Sequence, residues 1–189
     1  SGPAFILGVV GTGIFASSRA GLLLYLAHIA ASLCVGLLFR FYRPGEGPRP
    51  GRHAAPQFQA ASFPVAFTHS ITGALSSTLN ICAFVLFFTV VIRMLFLSGV
   101  MGALAGGAAA LLSPLGLDQA WAQRLITGLL ELSSGVSSLT GAGTVTGRLS
   151  MAAFMLGWAG LSVHCQVLAF LGDSGLSMRS YLTGKLLHG

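Results

Sequence analysis

Several stretches of the chain run for at least twenty residues without Asp, Glu, Lys or Arg. Three of them cover 20–39, 94–117 and 149–172. At about 1.5 Å per helical residue, each is long enough to cross the hydrocarbon core of a bilayer, which is about 30 Å thick. The sequence therefore predicts an integral membrane protein with the lipid bilayer as a partner, in which every ionisable residue at membrane depth is a candidate for function.

The overall composition supports an all-α integral membrane fold. Hydrophobic residues make up 54% of the chain and charged residues 7%, and the mean hydropathy is +0.83. A soluble domain carries about 25% charged residues. Glycine accounts for 26 of 189 residues, and it is interspersed with Leu, Val and Phe. That pattern is typical of membrane helices that pack closely or break.

The excess of positive charge is concentrated in one Pro-rich segment at about 42–57. Between Arg40 and Arg52 lie four arginines and one glutamate, a net charge of +3 within an overall +6. Closely spaced prolines exclude a continuous helix, so this segment is predicted to be a loop. The positive-inside rule predicts that the loop is cytoplasmic. Because aromatic residues are not interleaved with the arginines after Tyr42, no nucleic-acid partner is expected.

Nothing in the sequence predicts an enzyme, a metal site or a cofactor. Cys34, Cys82 and Cys165 are far apart in apolar sequence, which indicates small buried hydrophobes. No Cys or His spacing suggests zinc, and no Ser, His and acid pattern suggests a nucleophile. The Gly11-Thr-Gly13 motif lacks the strand and third glycine of a dinucleotide site. The chain starts at Ser1 without a basic region, so no signal peptide is expected.

The hydrophobic segments alternate between clean and interrupted ones. The segments 20–39 and 81–97 are predicted to span the membrane, and 94–117 predicts a further crossing that ends at Pro114. The segment 58–79 carries many Ser and Thr residues, so it is predicted to lie in the interface or against protein. The sequence thus predicts a polytopic helical bundle.

The second half of the chain is interrupted repeatedly. A short apolar helix at 125–132 is followed by a Gly/Thr tract at 140–147, and the next apolar run is interrupted by Gly157 and Gly160. Short apolar pieces with Gly and polar residues between them indicate discontinuous or re-entrant helices, which bind substrates or ions at mid-membrane. We therefore expect at least one of the segments 125–147 and 157–168 to be non-helical at membrane depth and buried in protein.

Glu131 is the most informative single residue, because it lies between leucines immediately before a predicted break. Burial without a partner would raise the pKa of a carboxyl group and favour its neutral form. Such a carboxyl group can carry a proton or coordinate a cation. The structural alternative is that Glu131 caps a helix end or pairs with Arg124 or Arg148.

A second polar group lies in the segment 160–166. In an unbroken helix, Ser162 and Gln166 share a face and His164 points almost the other way, whereas in an unwound stretch all three alternate onto one side. The neighbouring glycines favour some unwinding. His164 is either a proton-responsive group in a substrate cavity or a hydrogen-bonded core histidine.

Five motifs, in order, resemble the second half of the YlbJ family of sporulation integral membrane proteins, which belongs to the nucleoside-recognition, or Gate, group. They are SGPAFILGVVGTG at 1–13, VGLLFRFY at 35–42, AFTHSI at 66–71, GLLELSSG at 128–135 and WAGLSVHCQV at 158–167. The resemblance runs through nearly all of the chain. The N-terminal half of that family, with its own Ser-Gly-(Tyr/Phe)-Pro type of motif, is absent.

The resemblance implies one half of an inverted-repeat, transporter-like fold, akin in part to concentrative nucleoside transporters. It also implies a role in sporulation, where the family exports dipicolinate from the mother cell across the outer forespore membrane. The expected location is a bacterial inner membrane on the mother-cell side of the forespore. The expected protein partner is the missing N-terminal half or a second copy of the chain.

The leading hypothesis is transport of a small anionic or nucleoside-like metabolite at one site formed by broken helices, with half-helix N-termini holding the anionic group. The predicted substrate-binding residues are Ser1, Gly2, Glu131, Ser133, Ser134, Gly135, Ser162, His164 and Gln166. The alternative is a scaffold for spore envelope formation that transports nothing and uses its Gly-rich faces for helix packing.

Overall fold

The computed structural model describes residues 1–41, 62–171 and 177–189. The basic loop predicted at 42–57 lies outside the described residues and stays a prediction. We also predict that residues 1–189 form a single membrane domain.

The described residues form helices and turns and contain no strand, which confirms the all-α prediction. A π-helix opens the chain and is followed by eight α-helices within the described ranges. The π-helix covers Ala4–Ile14, and the α-helices are α1 (Ser18–Phe41), α2 (Phe63–Leu97), α3 (Val100–Leu112), α4 (Gln119–Leu130), α5 (Leu132–Ser137), α6 (Val145–Trp158), α7 (Gly160–Leu171) and α8 (Met178–His188).

Three helical segments of the described chain are long and apolar enough to cross a membrane. They are Ser18–Phe41, Phe63–Leu97 and Val145–Leu168. The α3–α4 pair, bent by 109°, has the composition of a fourth, broken span or of a re-entrant loop. A polytopic helical membrane fold with interrupted helices is therefore what the sequence predicted and what the structure has.

The π-helix packs against α1 through two glycines. A Cβ atom built on Gly11 would lie 2.5 Å from the Cα atom of Gly21, so only glycine permits the two backbones to approach this closely. Close backbone contact of this kind is common between membrane helices, where small residues replace hydrophobic collapse as the basis for packing. It makes the first 41 residues a helical hairpin.

The prediction that 58–79 is a separate element is wrong for its described part, because α2 runs without a break from Phe63 to Leu97. That this part lies in the interface or against protein stays a prediction. Four of its hydroxyl groups donate to a backbone carbonyl oxygen one turn earlier at 2.9–3.0 Å, those of Thr68, Ser70, Thr72 and Thr78. These bonds satisfy the hydroxyls inside the helix and remove the polarity that argued against a span.

The prediction of one crossing over 94–117 is also wrong. Gly99, with φ +76°, separates α2 from α3, and Gly116, with φ +73°, lies between α3 and α4. Both glycines adopt the left-handed conformation that other residues disfavour. The apolar run is therefore divided among the end of α2, α3 and the turn before α4.

Cys34 and Cys82 are exposed and Cys165 is half-buried, so the prediction that all three are buried hydrophobes is wrong. The main hydrophobic core lies elsewhere, where the π-helix, α1, α5 and α6 meet. Its members are Ile6, Val10, Leu24, Leu132, Val136, Leu139, Met151, Ala152, Met155 and Leu156. The two helix breaks described in the next subsection lie beside this core.

Candidate functional site at two helix breaks

The first break separates α4 from α5 at Glu131. The residue is extended, with φ −143° and ψ 121°, and its side chain is 1% exposed. Its carboxylate accepts hydrogen bonds from the backbone N–H groups of Ser133 at 2.8 Å and Ser134 at 2.6 Å. Glu131 is therefore the N-cap of α5, which is one of the alternatives that the sequence left open.

The two arginines proposed as partners of Glu131 make other contacts. Arg124 donates from Nε to the carbonyl oxygen of Ser138 at 3.1 Å. The guanidinium of Arg148 lies 5.5 Å from the centre of the Phe15 ring. The buried carboxyl group is thus hydrogen-bonded by backbone donors at the start of α5.

The Glu131 cap occupies backbone N–H groups of the predicted anion site. The N–H groups of Ser133 and Ser134 are already occupied by Glu131, so in this conformation they are not available to an anionic ligand. The Ser134 hydroxyl lies 3.4 Å from the Thr89 hydroxyl on α2. Gly135 lies against Gly128, and a Cβ atom there would overlap the backbone of Gly128. These contacts pack α5 closely against α4.

The second break separates α6 from α7. Ala159 and Gly160 both have positive φ, at 78° and 77°. A Cβ atom on Gly160 would lie 3.0 Å from the amide nitrogen of Leu132 and 3.1 Å from the carbonyl oxygen of Gly128. The second break therefore lies directly on the first, and four helix ends meet in the interior.

The second predicted group lies on α7, which is a regular helix from Gly160 onward, so the unwound alternative is wrong. Ser162 and Gln166 share one face, and His164 lies on another. All three are buried, at 0%, 9% and 2% exposure. Within the described part of the chain, Ser162 Oγ, Gln166 Nε2 and His164 Nε2 have no hydrogen-bond partner. An unpaired buried polar atom lowers the free energy of unfolding, so the presence of each one needs an explanation.

His164 has a well-defined surrounding. Its Nδ1 atom lies 2.9 Å from the Tyr181 hydroxyl of α8, and its ring meets the Trp158 ring edge-on at 4.5 Å. This arrangement matches the hydrogen-bonded core histidine that the sequence allowed. Its role with substrate stays a prediction.

Ser1 and Gly2 make their polar contacts elsewhere. The backbone nitrogen of Ser1 lies 3.2 Å from His28 Nε2 on α1, and the carbonyl oxygen of Gly2 accepts from the Ile6 N–H at 3.1 Å. Both residues are exposed. The structure thus brings Glu131, Ser133, Ser134 and Gly135 together at the start of α5, beside the contact between the two breaks. It places Ser1 and Gly2 beside α1.

The sequence patterns did not indicate that the polar face of α8 belongs to the site. Tyr181, Lys185 and His188 have the i, i+4, i+7 spacing of one helical face. Tyr181 contacts His164, and Lys185 donates from Nζ to the Gly157 carbonyl oxygen at 3.2 Å. The spacing of these three residues could be read from the sequence, but the residues that they contact could not.

The described part of the chain encloses several cavities, and three of them help to locate a site. The largest, about 600 Å³, is lined mainly by apolar residues of α3, α4 and α6 and by none of the predicted site residues. Two smaller ones, about 210 and 420 Å³, share His188. The large cavity is therefore an apolar groove, and the polar chemistry lies beside α8 and at the breaks.

The chain is similar to a curated protein, the sporulation integral membrane protein YlbJ of Bacillus subtilis (strain 168). The two are 27% identical over 211 aligned positions, which cover 100% of this chain and 50% of the relative. This chain thus spans about half the length of that relative. No protein-family model and no solved structure matches the chain. The resemblance inferred from the five motifs is confirmed, as is the membrane character of the protein.

Proposed function

We propose that the chain is one half of an inverted-repeat membrane transporter that moves a small anionic or nucleoside-like metabolite and catalyses no reaction. The observation that carries the proposal is the contact between the two breaks, with Gly160 against Leu132 and Gly128. A helix break exposes backbone polar groups that lipid cannot satisfy, so it is tolerated at membrane depth only inside protein or beside a cavity. Two breaks in contact are the arrangement used for mid-membrane sites in transporters.

The unpartnered polar atoms of α7 support the same proposal. A core that serves only for packing would favour apolar residues at Ser162 and Gln166, because each unpaired buried polar group costs about 1–3 kcal/mol. A substrate, or a rearranged state of the breaks, would supply the missing partners. We propose that the polar atoms of Ser162 and Gln166 find their hydrogen-bond partners in the ligand-bound state of the protein.

The substrate class follows from the resemblance. The name of the relative places that protein in sporulation and in the membrane. The first metabolite to test is dipicolinate, moved during sporulation in a bacterial inner membrane on the mother-cell side of the forespore. The half-length match supports a partner that completes the site, either a second half or a second copy of the chain.

A flux measurement tests the proposal. The protein, joined to its other half, is reconstituted in vesicles loaded with dipicolinate, and efflux is measured for variants matched by the amount inserted. Ser162→Ala and Gln166→Leu should lower flux by about tenfold or more while keeping or raising the melting temperature, since each removes an unpaired polar group. Ser70→Ala, which changes a hydroxyl bonded within its own exposed helix, serves as the control.

The alternative function is a membrane scaffold for spore envelope formation. One observation favours it: the first 21 residues of α2, 63–83, are exposed along their whole length, as a surface for a protein partner would be. If wild-type vesicles show no flux above empty ones, the scaffold becomes the better account. If flux is present and Ser162→Ala and Gln166→Leu leave it unchanged, the chain transports without using these two side chains.

The orientation of the chain is a further part of the proposal. The +3 charge between Arg40 and Arg52 predicts that this segment faces the cytoplasm. A cysteine introduced at Gly47, in a variant whose own cysteines are replaced, should react with an impermeant reagent only after the cells are opened. Labelling in intact cells would reverse the assignment.

A further inference from the structure

Three basic side chains meet where α8 packs on α1 and on the end of α6, and we call them the α8 basic cluster: Lys185, His188 and His28. The His188 and His28 rings lie 4.5 Å apart, and His188 Nε2 is 3.2 Å from the carbonyl oxygen of His28. Lys185 lies one turn from His188 on the same face of α8. All three are half-buried.

No Asp or Glu side chain balances this cluster within the described part of the chain. The two described acids are both occupied as helix caps, Glu131 on α5 and Asp118 on α4, where it accepts from the Trp121 N–H at 2.8 Å. A partly buried cation without a counter-charge is electrostatically unfavourable. Burial accordingly lowers the pKa of Lys185, and burial is also the main cause that lowers the pKa of His188.

The hydrogen-bonding capacity of the cluster is only partly used. Lys185 has three N–H donors, and one of them serves the Gly157 carbonyl oxygen. That carbonyl lies at the end of α6, where the break removes its usual helical partner. The remaining donors border open space.

That space consists of two cavities that meet at His188. The one beside His28 and His188 measures about 210 Å³ and also includes Ser150. The one beside Lys185 and His188 measures about 420 Å³ and includes the hydroxyl-bearing Ser32 and Ser180. The cluster is therefore open to a small ligand from both sides of His188.

We propose that Lys185, His188 and His28 form a binding site for an oxyanion, a carboxylate or phosphate group, in the cleft between α8, α1 and the end of α6. The site does not require that the chain transport anything, and it lies apart from the Glu131 cap. The oxyanion belongs either to a small soluble anion or to an anionic lipid headgroup, because both present the same charged oxygens to Lys185.

The test uses the full chain in lipid nanodiscs and measures the melting temperature at constant ionic strength. In one arm, phosphatidylcholine discs are titrated with inorganic phosphate or succinate. In the other, phosphatidylcholine is replaced by an equal mixture with phosphatidylglycerol. A ligand that binds only the folded protein raises the melting temperature in a saturable manner. Saturation in the first arm identifies a soluble anion, and a rise only in the second identifies a lipid headgroup.

Matched variants assign the effect to the cluster. Lys185→Gln should weaken the apparent affinity about tenfold or more, the loss expected for one charge-assisted contact. Lys185→Arg should retain it. Arg179→Gln removes the same charge from an exposed position on the same helix and should leave it unchanged.

The outcomes that overturn the site are equally specific. Absence of any saturable shift in both arms would do so, and so would an equal loss in Arg179→Gln, which would indicate general surface charge. If Lys185→Gln fails to insert, His188→Gln carries the test. It should weaken the affinity about threefold or more, since it removes one of the three basic groups, and an unchanged affinity there would refute the proposal.

Discussion

Gly160 packs against the backbone of Leu132, so that a Cβ atom at position 160 would lie 3.0 Å from the Leu132 amide nitrogen. This one contact joins two helix breaks that are separated by 28 residues of chain. Because Gly160 also has φ +77°, two independent constraints require glycine at this position.

Gly160→Ala should therefore destabilise the protein strongly. The left-handed conformation alone costs about 1–2 kcal/mol for an L-residue, and the close contacts with Leu132 and Gly128 add to that cost. The melting temperature in detergent or nanodiscs measures the effect.

Gly73→Ala is the control, because it lies in α2 with nothing within 4 Å of its Cβ position. It should be neutral or stabilising by about 0.5–1 kcal/mol, as expected for Gly→Ala inside a helix. Equal melting temperatures for the wild type and Gly160→Ala would show that the breaks do not meet as described.

Glu131→Gln and Glu131→Ala should destabilise the protein in that order. Gln keeps one oxygen acceptor for the N–H groups of Ser133 and Ser134 and loses the charge, whereas Ala leaves both donors unpaired. Each unpaired buried donor costs about 1–3 kcal/mol. Asp118→Asn, at the exposed cap of α4, should cost less than 1 kcal/mol by the same logic.

Flux separates the structural role of Glu131 from a transport role. If the carboxyl group also carries a proton or cation, Glu131→Gln abolishes dipicolinate flux or changes its pH dependence after correction for the amount folded. Wild-type flux at every pH in that variant would leave Glu131 as a helix cap alone.

The sequence was sufficient to predict what depends on local composition. Long uncharged runs indicated membrane helices, and Gly and polar residues around Glu131 and Gly160 indicated breaks, since both follow from the propensities of neighbouring residues. The same local reasoning failed at α2. There, hydroxyls were counted as polar although the helix itself satisfies them, as Thr72 shows by bonding the Thr68 carbonyl oxygen.

The arrangement of the site depends on tertiary contacts that no local pattern encodes. Which alternative Glu131 takes depends on where α5 begins, and the contact of Gly160 with Leu132 depends on how α4, α5, α6 and α7 pack. The basic face of α8 has a visible spacing, but only its position beside α1 makes His188 a neighbour of His28.

Tyr181→Phe should destabilise the contact between α8 and α7. It removes the hydroxyl that lies 2.9 Å from His164 Nδ1, and His164 Nε2 already lacks a partner in the described structure. A buried imidazole with no hydrogen bond should cost about 1–3 kcal/mol. The melting temperature again measures the loss, and Trp158 fluorescence, measured with Trp121 replaced by Phe, should report the change beside His164.

Tyr25→Phe is the matched control, because the Tyr25 hydroxyl makes no hydrogen bond among the described residues. Its free energy of unfolding should stay within about 0.5 kcal/mol of the wild type, so its melting temperature should be nearly unchanged. Equal effects of the two substitutions would mean that the bond between His164 and Tyr181 does not contribute to stability.

Asn80→Leu should weaken association with a partner while leaving the isolated chain as stable as before or more so. Asn80 is exposed at the middle of the 35-residue α2, and its amide has no bonding partner in the described part of the chain. Amides on membrane helices hydrogen-bond across helix interfaces, at about 0.6–2 kcal/mol. Association with the other half or a second copy, measured by dilution in detergent, should weaken severalfold. Ser77→Ala, one turn earlier on the same helix, serves as the control. If Asn80→Leu associates as tightly as the wild type, the partner does not cover this part of α2.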